Sequence, residues 1–226
     1  MSETANAESE ATQTVFIVDD DPSICEGLSN LLESVGIPTE SCPSAETFQD
    51  RWVPESAGCL LLDVRLPGIS GVAFQEQMRA TGIDLPIIFM TAHGDIPMVR
   101  KVMKGGAVEF LTKPFQKEEL LQAVRESFAL DRAKRAKEEG LREIRSRIDS
   151  LSPREREVMQ RVTAGLLNKQ IAAELNLSEI TVKLHRRRVM EKMQADSLAE
   201  LVKLCERAQE LVRRGLSSSV NQPGVR

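Results

Sequence analysis

Four short apolar runs, each followed by a polar residue, strongly restrict the fold of the first half of the chain. Val15–Val18 leads into three consecutive acids, and the other three runs lead to single polar residues, Asp63, Thr91 and Lys113. The segments between these runs have helical periodicity. Alternating strands and helices over residues 15–128 predict a (βα)₅ doubly wound parallel sheet with right-handed crossovers. Because parallel strands end at the same edge of a sheet, we expect these polar side chains to converge on one crevice.

The residue types expected at that edge suit phosphoryl transfer. Carboxylates that lie close together repel one another unless they hold a cation, and their oxygens suit Mg²⁺. The Thr91 hydroxyl and the Lys113 ammonium group are suited to binding an anion. A metal, an anion and the isolated carboxylate of Asp63 together predict transfer of a phosphoryl group to Asp63. The alternative, in which the acids only cap helices, leaves Thr91 and Lys113 unexplained.

The three consecutive acids Asp19, Asp20 and Asp21 leave two choices for a metal-binding pair. The pair is either Asp19 with Asp20 or Asp20 with Asp21. The apolar run ends at Val18, which favours the first pair. Asp21 is then the N-cap of a helix whose first residue is Pro22, a common arrangement at helix starts.

The two parts of the chain carry opposite charge. Residues 1–150 have a net charge of -9, and residues 151–226 have a net charge of +5. This asymmetry indicates a small-ion site in the first part and a polyanionic partner for the second. Ser152, Pro153 and Glu155 form a capping-box pattern that begins a second domain. Four helices without a strand are expected there, at residues 153–164, 168–175, 179–193 and 198–212.

Residues 129–150 are rich in charge and predict a helical linker between the domains. Acids precede bases by four residues, as in Asp131/Arg135, Glu138/Arg142 and Glu143/Arg147, which favours a solvated helix. The apolar residues hold no sustained heptad register, so a coiled coil is the weaker alternative. Residues 1–14 and 213–226 are polar and are predicted to be disordered tails.

Neither cysteine spacing nor hydropathy indicates secretion or a membrane. Four cysteines show no metal-binding spacing and are expected to be reduced core thiols. The N-terminus has no signal-peptide pattern, and no run of about 18 apolar residues could span a bilayer. These features predict a cytoplasmic protein.

The motifs taken together resemble a known family. Segments 17–21 (IVDDD), 62–71 (LDVRLPGISG), 90–92 (MTA) and 113–115 (KPF) make residues 15–128 similar to a response-regulator receiver domain. Segments 151–155 (LSPRE), 165–172 (GLLNKQIA) and 178–185 (SEITVKLH) make residues 151–212 similar to the helix-turn-helix domain of the NarL/LuxR/FixJ class. Segment 93–98 (HGDIPM) is most similar to FixJ-type regulators.

The resemblance implies a role for each residue of the crevice. Asp63 is the phosphate acceptor, and Mg²⁺ is held by Asp20 directly, by Asp19 through water, by Asp63 and by the backbone carbonyl of Arg65. Thr91 and Lys113 contact phosphoryl oxygens. Phe110 lies where the family has an aromatic switch residue, although a plain core role is an equal alternative. The Lys113–Pro114 bond matches the family's cis peptide, and the sequence leaves its isomer open.

In the second domain the resemblance identifies residues 179–193 as a recognition helix. Lys183 and Arg187 lie one turn apart and suit guanine edges in a major groove, and Leu184 between them suits a thymine methyl group. Other side chains suit phosphates. The predicted DNA contacts are Asn168, Lys169, Thr181, Lys183, Leu184, Arg187, Arg188 and Lys192.

These features predict a transcription regulator controlled by phosphorylation, which assists its own phosphorylation and dephosphorylation and is otherwise no enzyme. The implied partners are a sensor histidine kinase, double-stranded promoter DNA and RNA polymerase, with a homodimer formed on phosphorylation and no membrane contact. The sequence lacks the GxxxxGK[ST] motif of an ATPase domain. The alternatives are a phosphorylation-independent DNA-binding protein with a degenerate receiver and a small phosphatase or phosphotransferase that uses Asp63 as nucleophile.

Overall fold

A computed structural model describes residues 12–92, 94 and 96–219, the last ten of these by their backbone. The chain divides into two compact units between Arg135 and Ala136. The elements of the first unit alternate as predicted: β1 (Thr14–Val18), α1 (Pro22–Glu33), β2 (Thr39–Cys42), α2 (Ala45–Arg51), β3 (Gly58–Asp63), α3 (Gly71–Ala80), β4 (Ile87–Thr91), α4 (Ile96–Lys104), β5 (Glu109–Thr112) and α5 (Lys117–Asp149), which continues into the second unit.

The five strands form one parallel sheet in the order β2-β1-β3-β4-β5, which confirms the doubly wound fold. All six residues of β3 are buried, as expected for a parallel strand covered by helices on both faces. One core cluster lies on each face of the sheet. The strand order reverses between β1 and β3, and ligands of such sheets bind at the carboxyl ends of these strands. Asp19 and Asp63 lie there.

Local capping confirms the prediction that Asp21 is a helix N-cap. The side chain of Asp21 accepts a hydrogen bond from the backbone N–H of Ser23 at 2.9 Å, and Pro22 is the first residue of α1. Asp21 is therefore the N-cap of α1. Asp19 and Asp20 are left as the acids at the end of β1.

The predicted linker is part of α5, which runs through Gly140 without a break. The start of the linker differs from the solvated helix expected from the sequence, because the Asp131 side chain is buried. Asp131 accepts hydrogen bonds from the Gly58 backbone N–H at 3.0 Å, from Gln13 at 3.3 Å and from Arg135. Arg135 in turn donates to the Glu55 carbonyl oxygen. These contacts fix residues 131–135 of α5 to the first unit.

The second unit contains the end of α5 and four further helices: α6 (Pro153–Thr163), α7 (Asn168–Leu175), α8 (Glu179–Met193) and α9 (Leu198–Ser219). The capping box of Ser152 and Glu155 is present as predicted. One core joins these helices, and Ile148 of α5 packs against it.

The boundary predicted for α9 is wrong. That helix was expected to end at Val212, and the structure continues it to Ser219. Thr14, assigned to the N-terminal tail, is the first residue of β1. Gln13, also assigned to that tail, donates a hydrogen bond to the Phe128 carbonyl oxygen at 3.0 Å and is therefore ordered, against the prediction. Residues 1–11 and 220–226 of the predicted tails lie outside the described residues. The four cysteines are buried and free, as expected. In the part of the chain that the structure describes, no helix is long and apolar enough to span a membrane.

Candidate phosphoacceptor site and nucleic-acid interface

Asp19, Asp63 and Lys113 meet at the carboxyl edge of the sheet. The Lys113 Nζ atom lies 2.5 Å from Asp19 Oδ2 and 2.9 Å from Asp63 Oδ1. The Lys113–Pro114 peptide bond is cis. Asp63 Oδ2 accepts a hydrogen bond from the Arg65 backbone N–H at 2.7 Å, and Asp19 Oδ1 accepts one from the Asp21 N–H at 3.0 Å. Each carboxylate is thus held by one backbone donor and by the shared ammonium group.

The positive charge of Lys113 offsets the electrostatic cost of burying Asp19 and Asp63 side by side. Asp19 is 2% exposed and Asp63 is 7% exposed, so two unpaired negative charges here would be costly. Burial lowers the pKa of Lys113, but its hydrogen bonds and charge interactions with Asp19 and Asp63 outweigh that effect and raise the pKa above its ordinary value. Lys113 is therefore protonated at neutral pH and holds the two carboxylates together.

The described side chains do not by themselves form a complete metal-binding site. Among residues 12–92, 94 and 96–219, no group of three or more His, Cys, Asp or Glu side chains is placed to hold a metal ion. Asp20 is exposed and does not join Asp19 and Asp63. The donor set still fits Mg²⁺, which is commonly bound by one or two carboxylates with water and phosphate oxygens completing its shell. Asp19 and Asp63 already converge on one cation, the Lys113 ammonium.

Thr91 and Phe110 lie on neighbouring strands beside this crevice. Thr91 ends β4 and is 1% exposed, and its carbonyl oxygen accepts a hydrogen bond from the Lys113 N–H at 2.8 Å. Phe110 on β5 is half-buried and packs against the sheet core. A Cβ atom built on Gly94 would lie 2.6 Å from Phe110 Cε1 and 2.7 Å from Cζ. The ring of Phe110 therefore lies directly against the loop that follows Thr91, a contact that the sequence did not reveal.

In the second unit, α8 turns a basic face away from the core. Val182, Val189 and Met193 are buried, and Lys183, Leu184, Arg187 and Arg188 are exposed. Ser178 caps the helix by accepting from the Thr181 N–H at 3.1 Å, and the hydroxyl groups of these two residues lie 2.8 Å apart. Arg187 Nε donates to Glu191 Oε1 at 2.7 Å. This pair is exposed and is worth little energy, so a stronger acceptor can replace Glu191.

The predicted phosphate contacts fall into two groups. Lys169 at the start of α7 is exposed, and half-buried Asn168 beside it accepts a hydrogen bond from Arg186 at 3.3 Å. Lys192 instead has an internal role that the sequence did not reveal. Its Nζ atom lies 2.7 Å from Glu155 Oε2 and 3.0 Å from the Ser150 carbonyl oxygen. The Glu155 pKa is lowered by the hydrogen bond from Lys192 and by that from the Ser152 N–H.

Known proteins share both halves of this architecture. Residues 15–125 match the response regulator receiver domain family, and residues 149–205 match the bacterial regulatory proteins of the luxR family. Nodulation protein W of Bradyrhizobium diazoefficiens is 47% identical over 201 residues, which cover 89% of this chain and 88% of that protein. The chain belongs to the two-component response regulators. The transcriptional regulatory protein FixJ of the same organism is 43% identical over 195 residues, or 86% of this chain and 95% of FixJ.

A solved structure extends the similarity to this response regulator's fold. The structure of the response regulator StyR matches it with a TM-score of 0.80 and 48% identity, covering 87% of this chain and 99% of StyR. The chain is therefore a receiver domain joined to a LuxR-type DNA-binding domain, in a family of transcription regulators whose partners are histidine kinases and DNA. The alternative of a free-standing phosphatase does not account for the second domain.

Proposed function

We propose that this response regulator accepts a phosphoryl group on Asp63 and thereby controls its binding to promoter DNA. The observation that carries the proposal is the convergence of Asp19, Asp63 and Lys113 at one strand edge. A histidine kinase is the proposed donor of the phosphoryl group. Beyond promoting the formation and loss of its own phosphoryl group, the protein is proposed to have no enzymatic activity. Its DNA partner argues for a cytoplasmic location.

The proposed reaction uses the chain's own residues for attack and for charge stabilisation. A carboxylate oxygen of Asp63 attacks phosphorus, the bond from phosphorus to the donor breaks with its electron pair leaving on the donor, and an acyl phosphate forms. Lys113 stays protonated and binds an oxygen of the transferred group, and the Thr91 hydroxyl donates to another. Such transfers depend mainly on positioning and electrostatics.

Mg²⁺ is the proposed cofactor, held by Asp19, Asp20 and Asp63 and by the Arg65 carbonyl oxygen. When bound, it supplies positive charge that neutralises the phosphoryl oxygens. Asp19 and Asp63 are already oriented by backbone N–H groups. Asp20 would be a further ligand and is an exposed residue directly after Asp19. Phe110, beside the same crevice, is the proposed switch residue.

The proposed output is DNA recognition by α8. Arg187 and Lys183 read guanine edges, Leu184 reads a thymine methyl group, and Lys169 contacts phosphate. Asn168, Thr181 and Arg188 are proposed to contact the sugar-phosphate backbone of the DNA. Lys192 is proposed as a further contact, although it forms internal hydrogen bonds to Glu155 and to the Ser150 carbonyl oxygen. Helix-turn-helix domains commonly read two half-sites as dimers, so we propose that phosphorylation forms the homodimer. RNA polymerase is the proposed partner at the promoter.

Incubation of the full chain with acetyl phosphate and Mg²⁺, followed by intact mass measurement, tests the chemistry. Wild type should gain one phosphoryl group, and Asp63→Asn should gain none because an amide oxygen is a poor nucleophile. Asp50→Asn removes an exposed acid elsewhere in the same unit and should be labelled like wild type. Labelling of Asp63→Asn at the level of wild type would show that another residue is the acceptor.

A further inference from the structure

The outward face of α8 carries an isoleucine that the proposed DNA contacts leave out. Ile180 is 80% exposed, and Leu184, one turn later, is 48% exposed. Neither side chain belongs to the core of the second unit, which α8 joins through Val182, Val189 and Met193. Two large apolar side chains therefore lie in solvent one turn apart.

Helix geometry places Ile180 at the centre of the proposed reading face. With about 100° per residue, Ile180 and Leu184 each lie within about 20° of the direction opposite the three buried residues, and Arg187 lies within about 40°. Lys183 lies about 80° from that direction. Ile180 is therefore better aligned with Leu184 and Arg187 than Lys183 is.

Local structure does not account for an isoleucine at this position. β-Branched side chains lose rotamer freedom in a helix, so isoleucine is a poorer helix former than alanine or glutamate. The helix start is already stabilised by Ser178, which caps the Thr181 N–H. With 80% of its surface exposed, Ile180 gains little burial within its own chain.

The charges around Ile180 indicate what covers it. Exposed basic side chains surround it: Lys183, Arg187 and Arg188 on the same helix and Lys169 on α7. A basic rim around an apolar centre matches the major groove of DNA, where phosphates flank the bases. The apolar group that bases display there is the 5-methyl group of thymine.

We propose that Ile180 is a specificity-determining residue that contacts the 5-methyl group of a thymine. The target half-site then contains one thymine read by Ile180 and another read by Leu184, next to a guanine read by Arg187. This inference rests on the proposed function, in which α8 enters the major groove.

The test couples one protein change to one DNA change. A binding site is first selected from random duplexes with the full wild-type chain, and each thymine is then replaced in turn by deoxyuridine, which lacks only the methyl group. At one position the replacement should weaken wild-type binding about four-fold, the value of one buried methyl group, and should leave Ile180→Ala binding unchanged. Leu184→Ala should lose its sensitivity at a different thymine. Leu167→Ala removes an exposed leucine that lies outside α8 and should keep the wild-type pattern.

Fluorescence anisotropy of labelled duplexes gives each affinity. If every deoxyuridine replacement weakened Ile180→Ala and wild type by equal factors, Ile180 would contact no thymine methyl group and the inference would be overturned. A parallel Arg187→Ala variant separates this failure from that of the proposed function. Weakened, less selective binding by Arg187→Ala with no coupling at Ile180 would overturn the inference alone. If Ile180→Ala and Arg187→Ala both bound DNA with the affinity and selectivity of wild type, the proposed reading face would be overturned as well.

Discussion

The hydrogen-bonded cluster around Asp131 should contribute strongly to the stability of the receiver domain. Asp131 is 1% exposed and accepts hydrogen bonds from the Gly58 N–H at 3.0 Å and from Gln13 at 3.3 Å, and both of its carboxylate oxygens lie 3.0 Å from Arg135 Nε. Asp131→Asn keeps the size of the side chain and one acceptor oxygen. It removes the charge that faces Arg135 and places an amide donor among other donors.

The size of the effect follows from burial. Breaking a fully buried ion pair costs about 3–5 kcal/mol. The Arg135 side chain is 33% exposed and can turn partly to water, so this cost is reduced. We expect a loss of about 2 kcal/mol, made up of the lost charge-assisted bonds and the poorly satisfied donors. Glu126→Gln is the matched control in the same helix and the same unit, because Glu126 is exposed and its hydrogen bond from Gln122 lies at the surface, so its replacement should cost less than about 0.5 kcal/mol.

Urea unfolding of the full chain, followed by tryptophan fluorescence, measures this loss. The chain has one tryptophan and no tyrosine, and Trp52 packs against the receiver core, so the signal reports the receiver domain alone. Asp131→Asn should lower the midpoint clearly, whereas Glu126→Gln should stay close to wild type. Equal midpoints for the two variants would refute the reasoning, because buried and exposed acids of α5 would then be energetically alike.

Two further predictions concern the DNA-binding domain and the switch. Because the Glu155 pKa is lowered in the folded state, its ionised form stabilises the fold above its unfolded pKa of about 4.3, and this contribution is lost as pH falls through the lower folded pKa. Glu155→Gln should therefore lower the free energy of unfolding by roughly 1 kcal/mol at pH 7. The difference in this free energy between variant and wild type should disappear in acid, as measured by unfolding followed by the circular dichroism of the helices. A difference that is independent of pH would contradict this reasoning. Gly94→Ala should displace the Phe110 ring and change its NMR resonances, whereas Gly27→Ala, with open space around its Cβ position, should not; unchanged ring resonances in Gly94→Ala would count against the contact.

The order of strands and helices was predictable because it depends on local patterns. Apolar runs marked the strands, and side-chain caps at Asp21 and Ser152 marked the starts of helices. The edge residues Asp19 and Asp63 were also predictable, since parallel strands end together. Their roles came from the resemblance to a family, because carboxylates at a strand edge do not by themselves specify a phosphoacceptor.

Contacts between distant residues were not predictable in the same way. Asp131 was expected to form a solvated pair with Arg135, but it is buried by Gly58 and Gln13, which lie 73 and 118 residues away in sequence. Lys192 was expected to face phosphate because it is basic, and its bond to Glu155 depends on how α6 and α8 pack. Ile180 was not among the predicted DNA contacts, and the structure shows that it is 80% exposed on the helix whose buried residues are Val182, Val189 and Met193.

The DNA affinity of the full chain with and without phosphorylation tests the central claim most directly. Wild type and Asp63→Asn should be titrated with the selected duplex, each before and after treatment with beryllofluoride and Mg²⁺, which together mimic the phosphoryl group. The account predicts tighter binding by treated wild type, with a matching increase in dimer by sedimentation, and no change for Asp63→Asn. Equal affinities of treated and untreated wild type, or an equal gain by Asp63→Asn, would contradict control of DNA binding through Asp63.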